Sequence, residues 1–254
     1  MEVIPIKRMP FIKCGDVISS IILDSCKEEG ISVEDGDIIV IAQKIISKSE
    51  GRQKRLGDYT VSEEAFSLAA KTGKSPEYTQ AVLEESKELV VVSNGLIIVE
   101  HKLGYVHANA GIDQSNINSE DEVLLLPCDP DSSASEIRES IYKMSGKEVA
   151  VIINDSSGRA FRNGVTGFSI GSAGIEALSD LSGESDIYGR PLKNTQVAVA
   201  DEVSAAASLV MGQSNESIPV VIVKGLNYSK SQEGSQSLIR TKEMDLIRGA
   251  MDRE

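Results

Sequence analysis

An Asn-Gly dipeptide between two apolar segments is the local pattern that most restricts the fold of this chain. Residues 89–92 and 96–99 are aliphatic and mostly β-branched, and Asn94-Gly95 between them favours a tight turn that joins antiparallel strands. A hairpin here excludes a purely parallel, doubly wound sheet. Helical patterns before and after the hairpin exclude an all-β chain, so the sequence predicts a mixed α+β fold.

Capping residues and glycine stops mark the predicted helices. Apolar runs at residues 3–6, 37–42, 149–153 and 218–223 predict strands. The run at 149–153 is followed directly by polar residues, so we expect this strand to end at residue 153. The predicted helices run from Asp16 to Gly30, from Ser62 to Gly73, from Ser75-Pro76 to Lys87, from Asp131 to Gly146, from Asp201 to Met211 and over residues 243–251.

The charge balance excludes two classes of partner. The 254 residues include 26 Lys plus Arg and 39 Asp plus Glu, which gives a formal net charge of −13. Such a chain is repelled by nucleic-acid phosphates and by anionic membrane surfaces, and its 4% aromatic content offers little for base stacking. Its apolar runs are far shorter than the roughly 20 residues of a membrane-spanning helix. The widely spaced Cys14, Cys26 and Cys128 are typical of reduced thiols, so we expect a cytoplasmic protein.

Two short motifs resemble catalytic signatures but lack the required context. The Gly-Lys-Ser at residues 73–75 has the ending of a P-loop, yet Leu68 stands where the first glycine is needed. Residues 167–171 match the G-x-S-x-G pattern of α/β-hydrolases, whose histidine base follows the serine in the chain. His101 and His107 both precede that serine, and we expect each to be solvated or hydrogen-bonded in the core. Neither P-loop nor serine-hydrolase chemistry is therefore expected.

Two polar segments offer oxygen ligands for a metal ion. In residues 109–116 (NAGIDQSN) asparagines surround Asp113, and Asp155 lies between Asn154 and Ser156 after the predicted strand. Carboxylates with hydroxyl and amide neighbours suit a hard cation such as Mg²⁺ or Mn²⁺, which is often held by few protein groups together with nucleotide phosphates. The alternative is that both aspartates serve only as turn or capping residues.

The glycine-rich segment at residues 158–167 carries two arginines, Arg159 and Arg162. Glycine allows the backbone to approach a ligand closely, and a guanidinium group is suited to binding phosphate or carboxylate. In an acidic chain, this arginine pair beside an acidic segment predicts a bound anion. The alternative is a surface loop with solvated arginines.

Taken together, several stretches resemble one family, the coenzyme F-420-0:L-glutamate ligases, also called coenzyme F-420 γ-glutamyl ligases. The resemblance follows the family order over nearly the whole chain, although no single motif is as specific as a P-loop. The stretches are PIKRMPFIKCG (residues 5–15), EDGDIIVIAQKIISKSEGR (34–52), AVLEES (81–86), NAGIDQSN (109–116), LLLPCDPD (124–131), INDSSGRAFRNG (153–164), YGR (188–190), ADE (200–202), and MG (211–212) followed by IP (218–219).

The resemblance implies a GTP-dependent amide ligase. Family members activate the carboxylate of the lactyl phosphate tail of coenzyme F-420-0 with the γ-phosphate of GTP, which gives an acyl phosphate and GDP. The amine of L-glutamate then displaces phosphate, and further glutamates are added through γ-linkages. Mg²⁺ or Mn²⁺ at two sites is required and K⁺ assists, because cations offset the charge of the anionic reactants.

The resemblance also assigns site residues. Asp113 and Asp155 match the metal-binding aspartates, and Ser156 can contact a second metal. Gln213 stands where we expect a glutamate ligand of that second metal, so this chain has one fewer negative charge there. We count Arg159 and Arg162 with the two aspartates as catalytic groups, on their chemistry alone. The implied GTP-binding residues are Met9, Pro10, Phe11, Ile12, Gln43, Lys44, Lys48, Asn116, Met211, Gly212, Gln213, Ser214, Asn215, Glu216, Ser217 and Ile218.

The implied fold is a family-specific α+β architecture without a P-loop. In it, one ligase domain spanning residues 1–254 is built from two subdomains, which intertwine in a homodimer. Two other functions are compatible with the same residues. One is ligation of another carboxylate or amino acid on the same fold. The other is a GTP- and metal-binding regulatory protein without enzymatic activity, which the glutamine at position 213 favours.

Overall fold

The computed structural model of the chain describes residues 1–117 and 119–251. The helices are α1 Ile18–Glu29, α2 Gln43–Ser49, α3 Glu63–Thr72, α4 Pro76–Glu85, α5 Pro130–Ser145, α6 Val199–Met211 and α7 Leu246–Met251. The strands are β1 Glu2–Ile6, β2 Ile38–Ala42, β3 Gln53–Arg55, β4 Ser86–Ser93, β5 Leu96–His101, β6 Val106–Ala108, β7 Glu122–Leu124, β8 Ala150–Arg159, β9 Arg162–Ala173, β10 Ser179–Asp180, β11 Gln196–Val197 and β12 Val220–Lys224.

A five-stranded mixed sheet in the order β1-β12-β2-β8-β9 forms the centre of the molecule. Strands β2 and β8 are parallel, and the other neighbours are antiparallel. Helices α1 and α5 cover one face, where they pack on Ile39 and Ile41 of β2, while α6 covers the other face, which holds Ile38 and Val40. Because both faces are buried, these strands are continuous apolar runs, as expected from the sequence.

A third hydrophobic cluster, besides those on the two faces of the central sheet, lies apart from that sheet. In it α4 packs on β5 of the three-stranded sheet β4-β5-β6 and on the chain around β7. The predicted hairpin is confirmed, since β4 and β5 are antiparallel and Ser93 faces Leu96 across the turn. Of the two turn residues only Gly95 has a positive φ, at 79°. The mixed α+β fold is thus confirmed.

The prediction that the strand beginning near residue 149 ends at Ile153 is wrong. β8 continues through Asn154 and Asp155 to Arg159 and forms a long antiparallel hairpin with β9. The polar side chains do not end the strand because backbone groups of β9 accept and donate its ladder hydrogen bonds. Residues 158–165, at the end of this hairpin, are exposed.

Three aspartates predicted as helix caps have other partners. The capping position of α5 is held by Asp129, whose side chain accepts from the Ser132 N–H at 3.0 Å. Asp131 instead accepts from the backbone N–H groups of Ser172 and Ser235, at 2.8 Å each. In the same way, the Asp16 carboxylate accepts from Lys13 N and the Asp201 carboxylate from Ser169 N. Asp131 and Asp201 therefore tie helices to β9 rather than start them.

The two rejected motifs have structural roles. Gly73 ends α3 in a left-handed conformation and Ser75 caps α4, so residues 73–75 connect two helices. Ser169 is buried in β9, where its hydroxyl lies 2.6 Å from that of Ser235. Among the described residues, no helix combines the length and the apolar character needed to traverse a lipid bilayer.

Candidate active site

A cleft of about 640 Å³ lies beside the carboxyl end of β2 and the adjacent middle part of the parallel strand β8. Its size lies within the range of small-molecule binding sites. Four stretches that are distant in sequence meet there, namely residues 9–13, 42–48, 154–156 and 211–219, with contributions from 53 and 116–117. Because β2 and β8 are neighbours, the residues that follow their buried parts converge on one edge of the sheet.

The cleft contains most of the residues assigned through the family resemblance. All sixteen residues of the implied GTP-binding stretches line it, and so do Asp155 and Ser156. Asp113 is joined to the cleft through Lys44, whose Nζ lies 2.6 Å from Asp113 Oδ2. The sequence therefore identified the segments that meet at this edge of the sheet.

Helix α2 directs two lysines towards the segment that carries Asp113. Lys44 and Lys48 are one helical turn apart and share a face of α2. Lys44 Nζ donates to Ser115 Oγ at 2.7 Å, and Lys48 Nζ donates to the Asn116 carbonyl at 2.8 Å. Burial, together with the charge of Lys44, lowers the pKa of Lys48. The two ammonium groups are thus concentrated at one side of the cleft.

Asp113 is held by contacts on both carboxylate oxygens. Oδ1 accepts from Ser115 N at 2.6 Å, while Oδ2 contacts Lys44. Burial raises the pKa of this carboxyl, but the hydrogen bond and charge of Lys44 and the bonds from Ser115 outweigh burial, so the pKa is lowered. Asp113 is therefore a carboxylate fixed in one orientation.

The backbone that leads to Asp113 is strained. Asn109, Ala110 and Gly111 all have positive φ, at 50°, 55° and 65°, and the buried Ala110 is a residue that seldom adopts this conformation. Leu126 packs so closely on Gly111 that a Cβ there would lie 2.9 Å from it. Such conformations persist only where the surrounding structure enforces them, and they are frequent at functional sites.

Asp155, on β8, faces a buried histidine. Its Oδ2 lies 3.4 Å from Nε2 of His107, although without the alignment of a hydrogen bond, and its Oδ1 accepts from Ser156 N at 2.8 Å. Burial alone lowers the pKa of His107, but the adjacent carboxylate more than compensates, so the pKa is raised. The His107 ring also packs at 5.7 Å from that of Phe168. No motif or spacing in the chain predicted this contact.

The loop at residues 211–219 covers another side of the cleft. Gly212 has φ 76° and ψ −178°, a conformation available essentially to glycine alone. The Glu216 carboxylate folds over Gly212 and accepts from Ser214 N at 2.8 Å. Gln213 contacts Ser208 Oγ only at 3.5 Å. Asn154, buried beside this loop, has a side-chain oxygen without a hydrogen-bond partner among the residues that the structure describes.

Asp113, Asp155 and Ser156 fit a hard divalent cation in the chemistry of their donor atoms. Lys44 already places a positive charge 2.6 Å from Asp113, which shows that this carboxylate is oriented to bind a cation. Within residues 1–117 and 119–251, no three His, Cys, Asp or Glu side chains are grouped closely enough to hold a metal. A bound Mg²⁺ or Mn²⁺ would therefore need further oxygens from hydroxyl groups, water or a ligand.

Arg159 and Arg162 are not brought to the cleft. They face each other across the exposed end of the β8–β9 hairpin, which extends beyond the cleft residues Asp155 and Ser156. Their assignment to a bound anion therefore has no support within this chain. The cleft residues that sequence reasoning did not assign are Lys13, Ala42, Ile45, Gln53, Ile117, Asn154 and Pro219.

Comparison with known proteins agrees with this geometry. The sequence profile described as F420-0:Gamma-glutamyl ligase matches residues 7–225, which include every residue of the cleft. The chain belongs to this family. It is 44% identical over 251 residues to the coenzyme F420:L-glutamate ligase of Methanothermobacter thermautotrophicus, covering 98% of this chain and 99% of that protein.

Two further relatives carry the same description. The Archaeoglobus fulgidus protein is 44% identical over 254 residues, which cover 100% of this chain and 98% of that protein. The Methanocaldococcus jannaschii protein is 50% identical over 216 residues, which cover 85% of this chain and 86% of that protein. Because the Archaeoglobus fulgidus alignment covers 100% of this chain, the similarity extends over the central sheet and the cleft.

Proposed function

We propose that this chain joins L-glutamate to coenzyme F-420-0 in a GTP-dependent reaction. The observation that carries the proposal is the convergence, in one cleft, of all the implied GTP-binding residues with Asp155 and Ser156. The relatives named coenzyme F420:L-glutamate ligase support the acceptor and the amino acid. In the same reaction the protein would add further glutamates through γ-linkages.

The proposed reaction has two chemical steps. A carboxylate oxygen of F-420-0 attacks the γ-phosphorus of GTP, which forms an acyl phosphate and releases GDP. The amine of L-glutamate then attacks the acyl carbon, loses a proton and expels inorganic phosphate. Activation is needed because an unmodified carboxylate has no adequate leaving group, and placing the reactants in one cleft supplies proximity.

Residues of the cleft have distinct tasks in this proposal. Lys44 and Lys48 provide positive charge for the phosphates, and the exposed Phe11 at the rim offers an aromatic face to the base. Asp113 and Asp155, with Ser156, would hold Mg²⁺ or Mn²⁺, and Gln213 would contribute a neutral amide oxygen. The ions would offset phosphate charge during transfer, with K⁺ assisting. His107, whose Nε2 lies 3.4 Å from Asp155 Oδ2, would help to hold that carboxylate in place.

A homodimer is part of the proposal. Its support is the exposure of large apolar side chains: Phe161 at the end of the β8–β9 hairpin, Ile187 beyond β10 and Leu209 on α6. Large exposed apolar areas are frequent at interaction surfaces. A second copy would cover them.

The direct test is to incubate the protein with GTP, Mn²⁺, L-glutamate and F-420-0 and to follow the product by mass spectrometry. We expect a product heavier by one glutamyl unit, with GDP formed in equal amount. Asp155→Asn should lower turnover at least about 100-fold, because a direct ligand should matter no less than the outer-shell partners of a metal.

Glu139→Gln is the matched control, since it also removes one carboxylate, but at an exposed position of α5 paired only with Lys143. It should retain normal turnover. Absence of glutamyl addition by the wild-type protein would refute the proposal. Glutamyl addition to a different carboxylate would identify another acceptor, and GTP binding without turnover would identify a regulatory protein.

A further inference from the structure

Lys44 occupies a cation position on the carboxylate assigned to the metal. Its Nζ lies 2.6 Å from Asp113 Oδ2 and 2.7 Å from Ser115 Oγ. A carboxylate oxygen and a hydroxyl oxygen are the donor types that Mg²⁺ and Mn²⁺ bind. The ammonium group and a divalent ion would therefore compete for the same oxygen atoms.

The remaining oxygen of Asp113 also has a partner in the protein, since Oδ1 accepts from Ser115 N at 2.6 Å. The side chains of Lys44 and Asp113 are 29% and 26% exposed, so water screens their attraction only in part. A metal ion that takes the position of Lys44 Nζ on Asp113 Oδ2 must displace Lys44, which costs the free energy of this ion pair.

Lys44 needs another anion once it leaves Asp113. Its neighbour on the same face of α2 is Lys48, whose positive charge cannot replace the carboxylate that Lys44 has lost. Lys44 itself lines the cleft, so its ammonium can reach a phosphate group bound there. A nucleotide would thus supply the anion that Lys44 loses when the metal takes Asp113.

We propose that Lys44 couples metal binding to nucleotide binding by exchanging Asp113 for a nucleotide phosphate. The inference rests on the proposed function, because it requires GTP in this cleft. Without nucleotide, Lys44 blocks Asp113 and Mn²⁺ binds weakly. With nucleotide, Lys44 turns to phosphate and Asp113 becomes available. By linkage, Mn²⁺ strengthens nucleotide binding by the same factor.

The test measures Mn²⁺ affinity by electron paramagnetic resonance of free Mn²⁺, with and without GDP. Without nucleotide, Lys44→Gln should bind Mn²⁺ on the order of tenfold more tightly than the wild type. A positive charge this close to a carboxylate weakens the binding of a proton to it by a similar factor or more, and we expect it to weaken the binding of a metal ion in the same way. GDP should raise the Mn²⁺ affinity of the wild type more than that of the variant.

Two variants separate this exchange from a general effect of charge. Lys48→Gln removes the same charge from the same face of α2 but contacts a carbonyl of Asn116, so its Mn²⁺ affinity should change by less than about threefold. Lys44→Arg keeps the positive charge and should retain the weak Mn²⁺ binding of the wild type. Thermal melting of each variant checks that it is folded.

The outcomes distinguish the two proposals. If Lys44→Gln binds Mn²⁺ no more tightly than the wild type, or if Lys48→Gln gains as much, the exchange is refuted while GDP binding and glutamyl transfer still stand. If the wild type binds no GDP at all, the proposed function fails and the exchange fails with it. Tight Mn²⁺ binding by the wild type without nucleotide also refutes the exchange.

Discussion

Glu100 is a buried carboxylate whose charge is balanced by side chains from two other segments of the chain. It lies on β5 with 5% of its surface exposed, and it accepts from Lys87 Nζ at 2.8 Å and from Arg248 Nη2 at 2.7 Å. The hydrogen bond from Lys87, assisted by Arg248, outweighs burial and lowers the pKa of Glu100 to about 2. Arg248 belongs to α7, so this carboxylate fastens the last described helix to the β4–β5 hairpin.

Stability should therefore fall as the solution is acidified. Because the pKa of Glu100 is about 2 in the folded chain and 4.5 for an ordinary glutamate, its contribution is complete above pH 4.5 and is lost as pH falls towards 2. Glu100→Gln should lower the free energy of unfolding at pH 7 and weaken its dependence on pH below 4.5.

Urea denaturation of both proteins at pH 7 and pH 3.5 measures this difference. Glu139→Gln, which removes an exposed carboxylate, should behave as the wild type. Equal losses of stability on acidification in the wild type and in Glu100→Gln would show that another group controls the acid transition.

Single residues also show where the sequence was informative. Ser62 and Gly73 bound α3 as predicted, because a capping hydroxyl and a left-handed glycine act within a few residues. Asp131 looked equally like a cap, yet it binds Ser172 and Ser235, which are 41 and 104 residues away. Local chemistry can be predicted from sequence, whereas the choice among possible distant donors depends on the completed fold.

At the scale of elements, β9 lies unusually close to two helices. A Cβ built on Gly171 would lie 2.4 Å from the backbone of Pro130 at the start of α5, and one on Gly167 would lie 2.5 Å from the Ser204 carbonyl of α6. The glycine pattern suggested a ligand-binding loop, but in these two positions glycine permits helix packing. A G-x-S-x-G pattern therefore has a packing explanation here.

Replacing one of these glycines should disturb the packing of α5 on β9. We expect Gly171→Ala to lower the free energy of unfolding by about 3 kcal/mol, the upper part of the range for overpacking, because the atoms in contact are backbone. Chemical denaturation measures the change.

Gly158→Ala provides the control within the same hairpin. Apart from its two chain neighbours, no residue in the described part of the chain has an atom within 4 Å of a Cβ at Gly158, so stability should change by less than about 0.5 kcal/mol. A similar loss in both variants would mean that alanine perturbs the hairpin itself and that the approach of α5 is not the cause.

For the whole molecule, the segments that the family resemblance groups as GTP-binding lie together, but the sequence did not predict how their side chains pair. Residues 9–12, Gln43, Lys44, Lys48 and residues 211–218 all border the cleft. The contact between Lys44 and Ser115 joins residues that are 71 positions apart. Neither this contact nor that of His107 with Asp155 produces a periodic pattern in the sequence. Such pairs depend on the order of the strands in the sheet, and no short segment of a single sequence specifies that order.

The assembly should respond to salt. The net charge of −13 makes copies of the chain repel one another, while Phe161, Ile187 and Leu209 are 94%, 91% and 87% exposed and favour association. Light scattering should therefore give twice the chain mass of 27.2 kDa, about 54 kDa, with dissociation easier at low ionic strength.

Phe161→Ser should shift this equilibrium towards the single chain, because it removes an apolar side chain from the end of the β8–β9 hairpin. Tyr142→Ser, at an exposed position of α5, should leave the equilibrium unchanged. A mass near 27 kDa for the wild type at moderate salt would contradict the homodimer.

The position of β12 between β1 and β2 affects how the chain is made. Residues 2–6 pair only with residues 220–224 within the described sheet. One side of β2 likewise pairs with β12. A ribosome must therefore synthesise most of the polypeptide before its first strand finds a partner. Until then, the nascent chain carries apolar strands with unsatisfied backbone groups, which other nascent chains can pair with. Translation speed and chaperone supply should therefore influence the yield of this protein more than that of proteins whose neighbouring strands are consecutive.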